Sequence, residues 1–246
     1  MPSAASIDQD EIAQFSRHAD EWWNPEGALR PLHKINPTRL EFIRDEVTQH
    51  FGLKAGTSDV FKGLSILDIG CGGGLLCEPM ARLGGYVTGL DASEQAIITA
   101  RRHCEHSRLK IDYHAGSAED LAHTTKRKYD IVTALEILEH VADINSLLQS
   151  VSKLLKPGGI AIFSTVNRTV KSYLLGIVAA EYILNWVPRG THDWRKFIRP
   201  SELAMHLGKA GLRVGSITGM TYDPLNDQFR LRPGAVTVNY LLTSTH

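Results

Sequence analysis

The sequence predicts an α/β fold: a doubly wound, mostly parallel sheet with an antiparallel edge, preceded by helices and interrupted by a helical insertion after the fifth strand. Three observations carry this. Short aliphatic runs alternate with amphipathic helical patterns from Leu64 to Thr165, the spacing of strands joined by right-handed crossovers. The first run, Leu64 to Ile69, has four aliphatic residues among six and enters a glycine turn, Gly70-Cys71-Gly72-Gly73-Gly74. After Leu212 the strand patterns follow one another without a helix between them, as antiparallel edge strands do.

Residues 8–23 read as a helix, with Asp8 and Glu11 as a capping box and Ile12, Phe15, Ala19 and Trp22 or Trp23 on one stripe. Asn24-Pro25-Glu26-Gly27 is a turn. A second helix starts with Asn36 as cap and Pro37 in the first turn, carries Leu40, Ile43, Val47 and Phe51 on its apolar side, and stops at Gly52. Together residues 1–60 are expected to form a helical lid on a core of residues 61–166. Strand Ser65–Ile69 leads to a helix over 75–83. A strand over 86–90 leads to a helix over 93–106, and a strand over 111–115 to the polar segment Gly116-Ser117-Ala118-Glu119-Asp120. Strand Tyr129–Leu135 is followed by a helix over 144–155, the stop Lys156-Pro157-Gly158-Gly159 and a strand over 160–165. An insertion over 167–199 and a C-terminal part over 200–246, with a helix over 201–210 and strands over 212–218, 228–231 and 236–243, complete the chain.

In such a sheet a ligand lies at the carboxyl ends of the strands, where the glycine turn admits it and the following helix aims N–H groups at it. The turn lacks the G-x-G-x-x-G ending of a dinucleotide site, because Leu75 stands where the last glycine belongs. Asp68, two residues before Gly70, repels a pyrophosphate but suits a ligand bearing an ammonium and a sulfonium. The pattern Asp68-x-Gly70-x-Gly72-x-Gly74 is similar to the first motif of S-adenosylmethionine-dependent methyltransferases. Asp91, about 20 residues beyond the turn, can accept both ribose hydroxyls, or else caps the next helix, a place Ser93 can take instead. Ser117 or Ala118 marks the place of the adenine amine, and Leu135 packs on the adenosine. Arg39 either reaches the methionine carboxylate as a charge-assisted pair or is a solvated arginine.

Glu136, Glu139 and His140 follow the fourth strand. At i, i+3 and i+4 they share one helical face, which can hold a divalent cation such as Mg2+ against two catechol oxygens. Alternatively His140 is itself the general base, or the three are a solvated pair and a packed ring.

A 43% hydrophobic and 22% charged composition is that of an ordinary globular chain, and zero formal charge leaves no footprint for nucleic acid. Cys71, Cys77 and Cys104 are odd in number without zinc spacing, which points to a reducing compartment. The N-terminus has neither a secretory pattern nor an early arginine. Residues 170–187 carry only Lys171 and Glu181 as charges, are rich in aromatic and aliphatic residues, and have basic residues on both sides. Such a helix lies in a membrane interface or covers a substrate; residues 173–187 are the expected lipid contact.

With these residues in hand, the chain resembles the ubiquinone biosynthesis O-methyltransferase family over nearly its whole length. The resemblance is carried by Trp22-Trp23, Pro31-Leu-His-Lys-Ile-Asn-Pro-Thr-Arg-Leu40, Leu67-Asp-Ile-Gly-Cys-Gly-Gly-Gly74, Glu136-Ile-Leu-Glu-His-Val141, Lys156-Pro-Gly-Gly159, Ser164-Thr-Val-Asn-Arg168, Gly190-Thr-His-Asp-Trp194, Lys196-Phe-Ile-Arg-Pro200 and Tyr222-Asp-Pro-Leu225. The glycine motif is general to such methyltransferases; the tryptophan and Gly-Thr-His-Asp segments are more specific. The resemblance implies a class I methyltransferase fold, Rossmann-like in its cofactor half. It implies methylation of polyprenylated catechols, including demethylubiquinol, at two steps of ubiquinone synthesis. It further implies contact of Arg39, Gly70, Asp91 and Leu135 with S-adenosylmethionine, and magnesium on Glu136, Glu139 and His140. The expected setting is the inner face of the bacterial cytoplasmic membrane, or the matrix side of the mitochondrial inner membrane for a processed eukaryotic form, beside other enzymes of quinone synthesis. A methyltransferase for a soluble small molecule, and a non-catalytic binder of the same cofactor, are the alternatives.

Overall fold

The computed structural model describes residues 6–8, 11–12, 19–174 and 193–246. Strands β1 (Ser65–Ile69), β2 (Tyr86–Asp91), β3 (Asp112–Ala115), β4 (Tyr129–Leu135), β5 (Leu155–Val166), β6 (Arg213–Asp223), β7 (Gln228–Arg232) and β8 (Asn239–Thr245) form one sheet in the order β3-β2-β1-β4-β5-β8-β6-β7. The first five pair in parallel, and β8 joins antiparallel between β5 and β6. This is the expected fold class. The order reverses at β1, so the carboxyl ends of β1, β2 and β4 border one crevice.

Helix α1 spans Arg30–Phe51, α2 Cys77–Arg82, α3 Glu94–Ser107, α4 Ala118–Thr124, α5 Ile144–Leu154 and α6 Pro200–Lys209. One core layer joins Ile43 and Val47 of α1 to Met80, Ile97 and Ile131; the other joins Leu148 and Val151 of α5 to Leu203, Leu207, Val132 and Phe163. With apolar helices on both faces, β1 is buried from Ile66 to Ile69, which is why its sequence is almost continuously aliphatic.

Several boundaries differ from expectation. Helix α1 begins before Asn36, and Pro37 lies inside it. Asn36 is no cap: its side-chain amide donates to the Leu75 carbonyl at 2.7 Å, a tertiary bond that ties α1 to the end of the glycine turn. The buried side of α1 is Ile35, Thr38, Arg39, Phe42, Ile43 and Val47, so Leu40 and Phe51 lie at its margin. Helix α4 falls where no helix was expected, because the acidic Glu119 and Asp120 in its first turn complement the helix dipole behind the Ser117 cap. The Lys156-Pro157-Gly158-Gly159 stretch is the irregular start of β5, with a register shift between Tyr129 and Ile131. Of the first expected helix, Glu11–Ile12 and a 3₁₀ turn at Ala19–Glu21 are described. The apolar segment opens with a helical turn at Val170–Ser172, capped by Thr169. Its continuation over 175–192, with most of the expected lipid contact, lies outside the described residues. Among the described residues no helix is long and apolar enough to cross a membrane.

Candidate active site

The glycine turn is stitched to the end of β2: the Gly70 and Cys71 amides donate to the Leu90 carbonyl at 2.8 and 3.1 Å. Gly70 and Gly72 have φ of 73° and 53°, the left-handed region that favours glycine. A Cβ on Gly70 would lie 2.3 Å from a methyl of Ile137, and one on Gly72 2.1 Å from the Trp22 ring. Two distant segments therefore close on the turn: the loop after β4 and the tryptophan pair before α1. Trp23 donates its indole N–H to the Gly73 carbonyl at 2.9 Å and stacks on His103.

Asp91 accepts from the Gly72 amide and the Ser93 amide, both at 2.8 Å, and so binds the tip of β2 to the turn. Ser93 is the cap of α3. Asp68 is 3% exposed, accepts from Thr133 at 2.6 Å and Cys77 at 3.3 Å, and is pushed up to about 6 by burial. Arg39 is 6% exposed; its charge is felt at Asp68, and Nη2 lies 3.6 Å from the Glu136 carboxylate. Its Nε and Nη2 groups find no hydrogen-bond acceptor among the described residues. Two buried, charged donors without a hydrogen-bond acceptor, one of them ion-paired with Glu136, fit the carboxylate of a methionine moiety. Leu135 is buried at the end of β4. Ser117 is buried as the cap of α4, its hydroxyl bonded to Asp120.

Glu136, Glu139 and His140 do not share a helical face. Glu136 has φ of 53°, outside any helix, and only Leu138–His140 form a 3₁₀ turn. Each side chain has its own partner. Glu136 accepts from Ser164 Oγ at 2.8 Å and faces Arg39; Glu139, 4% exposed, accepts from Thr165 Oγ1 at 2.7 Å. His140 Nδ1 stands 3.0 Å from Glu11 Oε2. Burial, then the charge of Glu136, pushes the Glu139 carboxyl up. Burial draws the His140 imidazole down, but the Glu11 hydrogen bond and the charges of Glu139, Glu11 and Glu136 carry it above its ordinary value. The His140 bond is also what holds Glu11 down at about 2, with Lys196 assisting against desolvation. Among the described residues no three carboxylate, imidazole or thiol groups converge as a metal site. In this arrangement the three groups expected to hold magnesium do not converge on one point: at 136 and 139 the carboxylates face an arginine and two hydroxyls, and at 140 the imidazole faces a carboxylate.

Residues 33–217 match the family model of a methyltransferase domain. The chain is 51% identical to the ubiquinone biosynthesis O-methyltransferase of Bartonella quintana (strain Toulouse), over 96% of this chain and 95% of that one. It is 50% identical to the protein of that name from Chelativorans sp. (strain BNC1), over 98% and 96%. The chain belongs to the ubiquinone biosynthesis O-methyltransferase family. It is an enzyme that takes its methyl group from S-adenosylmethionine. Among solved structures, the magnesium protoporphyrin IX methyltransferase of Synechocystis PCC 6803 with bound SAH, the demethylated cofactor, superposes with a TM-score of 0.62 at 18% identity, over 96% of this chain and 92% of that one. A plantazolicin methyltransferase reaches 0.65 at 14% identity, over 96% and 97%. Both share the fold.

Four residues contribute to the site in ways that no sequence motif marks. Local pattern puts Trp22 or Trp23 on a helical stripe, Glu11 in a capping box, and Ser164 and Thr165 in a plain strand. Each acts across a long stretch of chain, and no local spacing marks such a contact.

Proposed function

We propose that this chain methylates a hydroxyl of polyprenylated catechols at both O-methylation steps of ubiquinone synthesis, demethylubiquinol included, with His140 as general base. The observation that carries the reading is the compact segment Glu136-Ile-Leu-Glu-His140. Its first residue faces the cofactor-side Arg39, its second packs on Gly70, and its last is an imidazole backed by a carboxylate. On this reading one short loop borders both the cofactor and the base.

Bound S-adenosylmethionine supplies a methyl group on a positively charged sulfur, already a good leaving group. Arg39 holds its carboxylate, Asp68 favours its ammonium, Asp91 takes the ribose hydroxyls, and the backbone of Gly70 and Gly72 lets the ligand approach. Leu135 supports the adenosine, and the segment at Ser117 borders the adenine. His140 removes the catechol proton; the oxygen pair forms the new bond to the methyl carbon, and the old bond's pair stays on sulfur. Positioning then supplies most of the rate.

Residues 173–187 dock on the bilayer at the inner face of the membrane, where a polyprenyl substrate resides. Support comes from the described start of the segment, where Val170, Tyr173 and Leu174 are exposed beside Lys171, Val170 by 74%. A methyl-transfer assay on a polyprenyl catechol, with and without chelator, tests the reaction: labelled O-methyl product is expected in both, and no transfer would overturn the proposal. Flotation with anionic liposomes tests the docking: a Leu175→Glu, Ile183→Glu double variant should lose it, and equal flotation removes that part.

A further inference from the structure

We infer that Trp22 is a cofactor-binding residue: its indole N–H joins Arg39 in holding the carboxylate of the methionine moiety. The inference rests on the reading that Arg39 marks the methionine end of the cofactor. Trp22 is 8% exposed, yet its Nε1 finds no hydrogen-bond acceptor among the described residues. A buried indole N–H ordinarily has a partner, and a phenylalanine would fill much of the same space with no donor to satisfy. An indole can only donate. The ammonium and the sulfonium of the cofactor are therefore excluded as its partners; the carboxylate, the ribose oxygens and the adenine ring nitrogens remain.

The place of the ring selects among these. A Cβ on Gly73 would lie 2.4 Å from Trp22 Cβ and Cγ, and one on Gly72 2.1 and 2.3 Å from Cη2 and Cζ2. The indole therefore runs along the turn from Gly73 to Gly72, and the Cζ2 edge, adjacent to Nε1, is among the parts nearest Gly72. Trp22 packs in one cluster with Leu75, whose carbonyl accepts from Asn36 at 2.7 Å. Arg39 follows Asn36 by three residues on α1, so the two leave the helix on neighbouring positions of one side. Trp22 and Arg39 thus meet the turn from the α1 side. The places proposed for the ribose and the adenine, at Asp91 and Ser117, follow β2 and β3 instead. On the α1 side the carboxylate is the acceptor left, and its charge strengthens the bond. The ring is held where it stands. His33 Nε2 donates to the Trp22 carbonyl at 2.8 Å. Trp23 donates to the Gly73 carbonyl and stacks on His103, whose Nδ1 stands 2.6 Å from the fully buried Glu78. One tryptophan of the pair clips the segment to the turn; the other keeps an unmatched donor there.

The test measures binding by calorimetry to wild type, Trp22→Phe and Arg39→Ala, with two ligands: SAH, and decarboxylated SAH, which keeps the nucleoside, thioether and amine and lacks only the carboxylate. Trp22→Phe keeps an aromatic ring on the turn and removes the N–H. It should weaken SAH about tenfold and decarboxylated SAH by less than about twofold. In 15N spectra of the wild type, the Trp22 indole N–H resonance should move downfield with SAH and much less with decarboxylated SAH. Unchanged SAH affinity in Trp22→Phe beside a weakened Arg39→Ala overturns this inference and leaves the Arg39 reading in place. Equal losses on the two ligands in Trp22→Phe, or an indole resonance that SAH does not move, reduce Trp22 to packing and also overturn the inference. A carboxylate-dependent loss in Trp22→Phe beside unchanged SAH affinity in Arg39→Ala overturns the Arg39 reading alone. Equal affinity of the wild type for the two ligands overturns both.

Discussion

The two ends of the proposed site, one for cofactor and one for acceptor, are built in opposite ways. At the cofactor end, the turn, Asp68 and Asp91 come from β1, β2 and the bend between them, within 24 residues of one another, and turn amides bonded to the Leu90 carbonyl and the Asp91 carboxylate hold the bend. At the acceptor end, the loop after β4 takes its shape from Ser164 and Thr165 of β5, Arg39 of α1 and Glu11 near the N-terminus. The first site is encoded mainly by a motif, to which the tryptophan pair and Arg39 are added from outside; the second is tertiary assembly throughout. Binding and chemistry should accordingly separate under mutation.

The largest separation is expected from His140→Ala, which should slow transfer about 10²- to 10⁴-fold while SAH affinity changes little. If calorimetry shows SAH binding lost as well, the two ends are not independent. Gly70→Ala should do the reverse. Its Cβ would meet Ile137, and its φ of 73° disfavours a side chain, so SAH affinity should fall about 100-fold, roughly 2.7 kcal/mol. Because Ile137 lies on the acceptor loop, any additional drop in turnover at saturating cofactor measures how far the ends communicate. Arg39→Ala removes two buried donors and leaves Glu136 without its ion-pair partner; about a tenfold weaker cofactor affinity is expected by the same titration.

A smaller effect follows from acidity. Asp68 sits at about 6 in the empty protein, and a cationic ligand favours its ionised form. Cofactor affinity should therefore fall as the pH drops below about 6 and level off above it. For stability the sign is opposite. A carboxyl raised from 3.8 to about 6 contributes most below 3.8 and loses that contribution as the pH rises through 6. Glu11, lowered from 4.5 to about 2, contributes above 4.5 and fails below it. Melting of the unliganded protein should thus be highest in mild acid, a maximum that added SAH shifts upward. The least effect is expected from chelator, which should leave turnover unchanged; a rate that collapses and returns with magnesium would show that the acidic loop rearranges when substrate binds.

Legibility followed the same division. The alternation of strands and helices was readable because burial on two faces leaves aliphatic runs that the eye can count, and Ser65–Ile69 and Tyr129–Leu135 matched to the residue. Asn36 and Pro37 misled because they look like a helix start, whereas a 22-residue helix with a buried face absorbs one proline. The regular i, i+3, i+4 spacing of Glu136, Glu139 and His140 misled because it presumed a helix that the left-handed Glu136 does not enter. Nothing local to Glu11 marks its partner, which stands in a loop beyond the fourth strand.

The strand order carries one more consequence. During synthesis β1 to β5 can pair as they emerge, but β6 finds its seat only once β8 has arrived to lie between it and β5. Leu241 and Tyr240 of β8 are the register partners of Ser164 and Thr165, the two hydroxyls that steady the acidic loop. A nascent chain can thus hold a finished cofactor turn while its acceptor half is still unbraced. In that interval the edge of β5 is an open row of unpaired backbone groups.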